Sequence, residues 1–214
     1  IGLTTHHTFI IEEALANPSQ IDVFYVPINV LMYSTIMVLA PLFRKYKKGL
    51  VALKPFGGWD YSYVQGQNPR WITETNEFDR WLKPNIALGF LFHHPEIDSI
   101  LCGFTDSKQI DDDSNVKISK ADKRFFERLS SEKSYCLQCL KCKCPNGIRI
   151  PFLLRLWQFY DEFNIKKWVK TCYNRLEADY RDCDGCRVCE GQCPEKLKII
   201  DSLRQLHKAC KNGL

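Results

Sequence analysis

The chain has 214 residues, 45% of them hydrophobic and 26% charged, and its formal charge at neutral pH is +5. These proportions are ordinary for a soluble globular protein, and the length suffices for one medium domain and a smaller one. The longest apolar run, Leu31–Phe43, is shorter than the roughly 18 residues that a transmembrane helix needs, which excludes a membrane span. We also expect no signal peptide, because Ile1 leads directly into patterned sequence.

Residues 1–116 are predicted to alternate short strands with helices. The strand candidates are near-continuously apolar, as strands buried on both faces of a sheet are. They are Ile1–Thr5, Ile21–Ile28, Gly49–Pro55 and Asp98–Phe104, and the helical patterns between them are Thr8–Ala16, Thr35–Lys48 and Pro84–His94. This order predicts a parallel sheet with crossover helices. A polar and aromatic insert, Gly58–Lys83, interrupts it, and loops of that length are usually functional lids.

Four such strand–helix units are half of a (β/α)8 TIM barrel, a fold that usually takes about 250 residues. A free half would leave apolar parallel edges exposed. Because the sequence also lacks an initial Met, we expect the C-terminal half of a barrel whose N-terminal half is missing. The alternative is a small open α/β sheet.

Residues 117–214 are predicted to form helices and cysteine-rich loops. Eight of the 11 cysteines fall in two dense runs, after a long stretch that contains only Cys102. A secreted disulfide scaffold is usually short and spreads its cysteines through its loops. The runs therefore indicate metal or iron–sulfur ligation in a reducing compartment, which predicts a cytoplasmic protein. Cys172 and Cys210 lie on apolar helical stripes and are predicted to be small buried thiols.

The second cysteine run is the most specific signal in the chain. Cys183, Cys186, Cys189 and Cys193 follow the spacing C-x2-C-x2-C-x3-C, and Pro194 comes next. In two-cluster ferredoxins, three cysteines of this pattern ligate one [4Fe–4S] cluster and the fourth ligates the other. The alternative is structural zinc, but zinc sites use paired C-x2-C ligands, so a third cysteine at the same step would have no role.

The first run consists of Cys136, Cys139, Cys142 and Cys144, and only one residue precedes its last cysteine. With crossed pairing, one cluster takes Cys136, Cys139, Cys142 and Cys193, and the other takes Cys183, Cys186, Cys189 and Cys144. Cys144 departs from the ferredoxin spacing, and a single-cluster protein is the alternative. Two clusters would lower the formal charge from +5 to about +1, so the basicity does not indicate nucleic-acid binding.

The chain as a whole resembles the C-terminal part of the aldo/keto reductases that carry an appended ferredoxin-type [4Fe–4S] domain. The resemblance runs from Ile1 to about His207 and depends on the order of several stretches. These are IGLTTHH, DVFYVPIN, VALKPFGG and PEIDSILCGFTDSKQIDDD at the four strands, and CPNGIRIP after the first cysteine run. The resemblance implies a partial reductase barrel over residues 1–116 and a helical two-cluster ferredoxin-like domain over residues 117–214.

The resemblance also implies a nicotinamide site at the carboxyl ends of the strands. The residues that match the family's carboxamide contacts are Thr4, Thr5 and Asn29, and those that match its pyrophosphate loop are Lys54, Pro55 and Gly57. The segment that grips the adenosine end is matched by Gly103, Thr105, Lys108 and Gln109, with Lys108 as a partner for the 2′-phosphate of NADP. Tyr25 and Ile28 depart from the glutamine and tyrosine that are common in the family.

The implied activity is hydride transfer from NAD(P)H to a small carbonyl-type substrate, while two [4Fe–4S] clusters move electrons to or from a redox partner protein. The family's catalytic residues would lie on strands outside this sequence, so we assign no catalytic residue. Tyr25 and Ile28 motivate the alternative, a non-catalytic iron–sulfur electron-transfer subunit whose barrel no longer binds nicotinamide.

Overall fold

A computed structural model describes residues 1–17, 20–57, 83–131 and 136–211 of the chain, except for the side chains of Ser130 and Ser131. The described residues form two compact units, of which the first extends to residue 131 and the second begins at residue 136. The predicted lid, Gly58–Lys83, lies outside the described residues apart from Lys83.

The first unit is built on a four-stranded parallel sheet. Its strands are β1 (Gly2–Thr4), β2 (Val23–Pro27), β3 (Gly49–Leu53) and β4 (Ser99–Leu101), in the order β1-β2-β3-β4. One row of the register joins Thr4, Tyr25, Val51 and Ser99 across all four strands. The four strands and their parallel pairing agree with the sequence prediction. The barrel half stays a prediction, because an open α/β sheet can have the same strand order.

Burial alternates along the two central strands. Phe24, Val26, Leu50 and Ala52 are at most 2% exposed, whereas Val23, Tyr25, Val51 and Leu53 are half-buried. A period of two is the pattern of a sheet that packs mainly through one face. Among the described residues, the strands are therefore less completely buried than their apolar sequences predicted.

Among the described residues of the first unit, five α-helices separate or follow the strands along the chain. They are α1 (Thr8–Ala16), α2 (Tyr33–Tyr46), α3 (Pro84–Phe92), α4 (Ser107–Ser114) and α5 (Lys120–Ser131), and a 3-10 turn covers Val30–Met32. α2 ends where Lys47 adopts a left-handed φ of 52° and its N–H donates to the carbonyl of Phe43, a common helix C-cap. The ring of Phe43 packs edge-on against Phe24 of β2, with the ring centroids 5.3 Å apart.

The helix α5 belongs to the first unit, although residues 117–214 were predicted to form the second domain. Phe126 is fully buried and Leu129 is 6% exposed, and the ring of Phe126 packs edge-on against Phe90 of α3 at 5.6 Å. The apolar side of α5 is therefore buried against the helices of the sheet domain. The division falls after residue 131 rather than after residue 116.

The described residues of the second unit form helices and loops, with no strand among them. The elements are α6 (Ile150–Asp161), α7 (Lys166–Tyr173), a 3-10 turn (Tyr180–Asp182), α8 (Val188–Gly191) and α9 (Ile199–Lys211). α6 packs against both α7 and α9, and Leu156, Phe159, Val169 and Leu206 form part of the buried core. Cys172 and Cys210 are 6% and 3% exposed, which confirms that they are buried thiols.

The helices of both units are short. In the part of the chain that the structure describes, none combines the length and the apolar character needed to cross a membrane.

Candidate iron–sulfur sites

The two cysteine loops have the same backbone conformation around their middle cysteine. In the first loop, residues 136–149, Gln138 and Leu140 flank Cys139 with φ of 52° and 60°. In the second loop, residues 183–198, Gly185 and Arg187 flank Cys186 with φ of 77° and 60°. A left-handed φ is unfavourable for most residues other than glycine. Its repetition at matching positions indicates that the two loops meet the same structural requirement.

A first cavity lies where the first loop meets the end of the second. Its lining includes the thiols of Cys136, Cys139, Cys142 and Cys193, and the remaining lining is mainly apolar, with Leu154 and Ile199 among it. The cavity has a volume of about 310 Å³, counting the space at its mouth. The structure thus brings together one of the two crossed sets of cysteines.

A second cavity holds the other crossed set. Cys144, Cys183, Cys186 and Cys189 line it together with apolar side chains such as Ile148 and Leu203. Its volume, counted with the space at its mouth, is about 300 Å³, and the two cavities are alike in having four cysteines among mainly apolar residues.

The irregular spacing at Cys144 has a structural counterpart. Cys142 lines the first cavity and Cys144 lines the second. The single residue between them, Lys143, therefore separates two cavities, whereas the two-residue gaps separate cysteines that line the same cavity.

Hydrogen bonds hold the two loops against each other and against α6. The backbone N–H of Lys143 donates to the Gln192 side chain at 2.8 Å, and the Asn146 amide donates to the carbonyl of Asp182 at 2.8 Å. The amide of Gln138 donates to the carbonyl of Pro151 at 2.8 Å. These contacts bring residues from distant parts of the chain to each cavity.

The arrangement of the thiols suits a cluster better than a single ion. A zinc ion needs its four ligands within about 2.3 Å of one point. Among the described residues, no three His, Cys, Asp or Glu side chains are arranged to hold a single metal ion. A [4Fe–4S] cluster spreads its four thiolates over four irons, and a four-thiol cavity with mainly apolar walls has the donor chemistry that it requires.

Burial raises the pKa of several of these thiols. It raises the pKa of Cys142 to about 12 and also raises the pKa of Cys136 and Cys189. Metal ligation requires the thiolate form, so cluster binding would release protons. The positive charge of bound iron would stabilise the thiolate form of these cysteines.

A buried carboxylate, that of Asp179, holds the backbone just before the second cysteine run. Asp179 is 1% exposed, and its oxygens accept bonds from the Arg181 guanidinium at 2.8 to 3.2 Å and from the Arg181 N–H at 2.9 Å. The N–H of Asp179 in turn donates to Asp182 at 2.9 Å, which completes a capping box one residue before Cys183. Burial alone would raise the pKa of Asp179, but the bonds and charge of Arg181 outweigh it and lower that pKa.

Sequence reasoning missed this network. The available signal was the Asp-x-x-Asp spacing of Asp179 and Asp182, a polar residue at the cap followed by another three residues later.

The residues predicted for the nicotinamide site divide into two groups in the structure. At the ends of β1 to β3, the amide of Asn29 donates to the carbonyl of Lys54 at 3.2 Å, and Nζ of Lys54 lies 3.4 Å from Nε2 of His6. Thr4 ends β1, Thr5 accepts from the N–H of His7 at 3.1 Å, and Pro55 is buried. Gly57 has φ of 83° and donates to the carbonyl of Lys54, so Lys54, Pro55 and Gly57 form a tight turn.

The second group follows β4. Thr105 and Gln109 bond each other twice, at 2.9 and 3.0 Å, and the N–H of Gln109 donates to Asp106, the cap of α4. Gly103 and Lys108 are exposed, and no atom lies within 4 Å of the position that a Cβ on Gly103 would take. Most of these polar groups thus serve local turns and caps.

Comparison with known proteins finds similarity to a subunit of a named reductase. No family model matches the chain. The chain is similar to one subunit of the H(2):CoB-CoM heterodisulfide,ferredoxin reductase of Methanothermobacter marburgensis and to the same subunit from Methanothermobacter thermautotrophicus. Each is 27% identical over 105 residues, which cover 46% of this chain and 54% of the relative. The chain is therefore homologous to these subunits at low identity.

The match covers only part of the relatives and supports only part of the sequence predictions. The chain spans about half the length of the curated relatives it matches. The similarity gives no support to the predicted aldo/keto reductase resemblance or to NAD(P)H as a cofactor.

Proposed function

We propose that this chain is an iron–sulfur electron-transfer subunit that holds two [4Fe–4S] clusters and works beside a catalytic partner. The observation that carries the proposal is the pair of cavities, each lined by four thiols drawn from both cysteine runs. The similarity to subunits named for a heterodisulfide and ferredoxin reductase supports it.

The chain's own residues would hold the clusters and separate them. Cys136, Cys139, Cys142 and Cys193 would ligate the first cluster, and Cys144, Cys183, Cys186 and Cys189 the second. When bound, a [4Fe–4S] cluster supplies one-electron transfer at a potential set by its hydrogen bonds, nearby charges and solvent exposure. Mainly apolar side chains would surround each cluster, and the Lys143–Gln192 bond ties the two ligand loops together.

The proposed subunit would move electrons without transforming a substrate itself. A catalytic partner protein would then supply the chemistry that this chain lacks. The names of the relatives suggest that the partner's reaction involves a disulfide or a ferredoxin.

Metal analysis of the protein purified without oxygen tests the proposal. We expect roughly eight irons and eight sulfides per chain, absorption near about 400 nm, and loss of that absorption on reduction. One zinc per cavity and a colourless protein would overturn it.

A nicotinamide-linked reductase is the second candidate. It is favoured by the polar cluster of His6, Asn29 and Lys54 at the carboxyl edge of the sheet, where ligands of parallel sheets bind. Titration of the protein with NADPH tests it. Binding that weakens in Lys54→Ala and in Lys108→Ala would support this candidate, and absence of binding in the protein with intact clusters would eliminate it.

A further inference from the structure

We infer that the surface around the first cavity is the docking site of a small acidic electron-carrier protein. We call this surface the carrier face and define it by Leu140, Lys141, Lys143, Pro194 and Lys196, all of which are exposed. The inference rests on the proposed function, because it concerns the route by which electrons reach or leave the cluster of that cavity.

The carrier face has an apolar centre, which Leu140 and Pro194 form. Leu140 is 37% exposed and also lines the first cavity, as does Pro194. Its φ of 60° is a conformation that a leucine rarely adopts. The loop conformation thus leaves an apolar side chain partly exposed beside the first cavity. The matching position in the second loop is Arg187, a charged residue.

The rim of the carrier face is positively charged. Residues 136–149 contain Lys141, Lys143 and Arg149 and no acidic residue. Lys196 lies in the chain between Glu195 and Leu197, which both line the first cavity. Within the described part of the chain, the ammonium groups of Lys141, Lys143 and Lys196 form no ion pair. The nearby Glu195 is half-buried and lines the cavity.

The second cavity has exposed acidic residues beside its ligand loop, and the arginine that lines it, Arg187, lies near a carboxylate. Asp182 and Asp184 are exposed beside Cys183, and the Arg187 guanidinium lies 3.9 Å from the carboxylate of Glu190. Charges of one sign around a site attract partners of the other sign and speed their association. An acidic carrier is therefore directed to the first cavity and away from the second.

An acidic plant-type [2Fe–2S] ferredoxin is a suitable probe. Its dissociation constant, in the oxidised state, is measured with the cluster-loaded protein at an ionic strength of about 0.01 M, where the Debye length is about 30 Å, and again at about 1 M. The test variant is Lys141→Glu/Lys196→Glu. The control is Lys208→Glu, which changes the net charge by half as much. Lys208 is an exposed lysine near the end of α9, nine positions or about 13 Å along the helix from Ile199.

We expect the double variant to weaken binding at least about tenfold at low ionic strength and little at high ionic strength, with less than about a twofold change in the control. Leu140→Gly, which suits the left-handed φ, should weaken binding at both ionic strengths because it removes an apolar contact. Equal weakening by the Lys208 control, or no effect of the double variant, would overturn the inference. Lysine-dependent binding to anionic vesicles or duplex RNA without binding to the carrier would also overturn it.

A small reductant separates this inference from the proposed function. Methyl viologen radical is a monocation that needs no docking site, so we expect the double variant to accept its electrons at least as fast as the unmodified protein does. If the viologen reduces the clusters but the ferredoxin does not bind, only the carrier face is refuted. If the viologen reduces no cluster, the proposed function and the carrier face both fail.

Discussion

The two units use their chemically distinctive residues in different ways. At the carboxyl edge of the sheet, the side-chain oxygen of Asn29 accepts from the N–H of Leu31, and its amide donates to the carbonyl of Lys54. Thr105 and Gln109 likewise bond each other. In the second unit, eight thiols line two cavities of nearly equal size. Strand-end polar residues have structural uses in most folds, whereas eight converging thiols have few, so the second unit carries the stronger evidence for function.

Removal of the clusters should produce the largest difference in stability between the two units. After iron chelation under reducing conditions, we expect amides in the cysteine loops and α8 to lose hydrogen-exchange protection by a factor of about 10³ or more, because ligation ties these loops together. Amides of β2, β3 and α3 should keep theirs. Equal loss in both units would mean that the clusters do not stabilise the second unit specifically.

The next largest expected effect is on the free energy of unfolding, and it tests whether α5 packs with the first unit. Phe126→Ala removes a fully buried ring that packs on Phe90 and should cost about 3 to 5 kcal/mol. The loss should appear in the unfolding of the first unit, as measured by hydrogen exchange in α3. Phe125→Ala is the control, since Phe125 is half-buried, and it should cost roughly 1 kcal/mol. Loss of protection in α6 and α9 instead would place α5 with the second unit.

A dependence of stability on pH between pH 4 and 6.5 is expected in the first unit. Burial, together with the charge of neighbouring His93, lowers the pKa of His94 from 6.5 to about 4. The unfolded chain therefore binds the proton more readily between those values, so the first unit is most stable above pH 6.5 and loses stability as the pH falls towards 4. The loss should be roughly 1 to 3 kcal/mol for this half-buried group.

Denaturant unfolding between pH 4 and 7 measures this effect, with His94→Phe as the comparison because it keeps the ring and removes the titration. If the unfolding free energy of that variant falls with pH as steeply as that of the unmodified protein, another group is responsible.

The smallest effect concerns the shape of the cysteine loops. Gly185→Ala places a Cβ on a residue with φ of 77°, where no atom lies within 4 Å of it, so its cost of about 1 to 2 kcal/mol reflects backbone strain alone. Gly191→Ala also meets no atom within 4 Å but lies in α8, and it should be neutral or slightly stabilising. Equal midpoints of thermal unfolding for the two variants would contradict the left-handed requirement at Gly185.

Local patterns predicted most of the elements. The apolar runs located all four strands, and the helix Thr8–Ala16 was predicted with the bounds that the structure has. The cysteine spacing likewise led to the crossed ligand sets, and the four cysteines of each set line one cavity, while their ligation of clusters stays a prediction. Both signals lie within short stretches of sequence, where period and spacing carry the information.

Features that depend on contacts between residues far apart in the chain could not be predicted from local sequence patterns. The placement of α5 depends on Phe126 meeting Phe90, a contact between residues far apart in the chain. Gly185 signals a left-handed position, but Gln138 and Leu140 adopt the same conformation without any sequence signal. The role of Asp179 required the structure, because its bonds to Arg181 depend on burial at the cap.

The crossed ligand sets are the central claim, and iron counts of two double variants test them most directly. Cys136→Ala/Cys193→Ala removes two ligands of one set, so about four irons per chain should remain. Cys183→Ala/Cys193→Ala removes one ligand from each set, so both clusters should be lost, while Cys172→Ala serves as the control with about eight irons. If the first variant loses both clusters and the second retains one, each cysteine run binds its own cluster and the account is wrong.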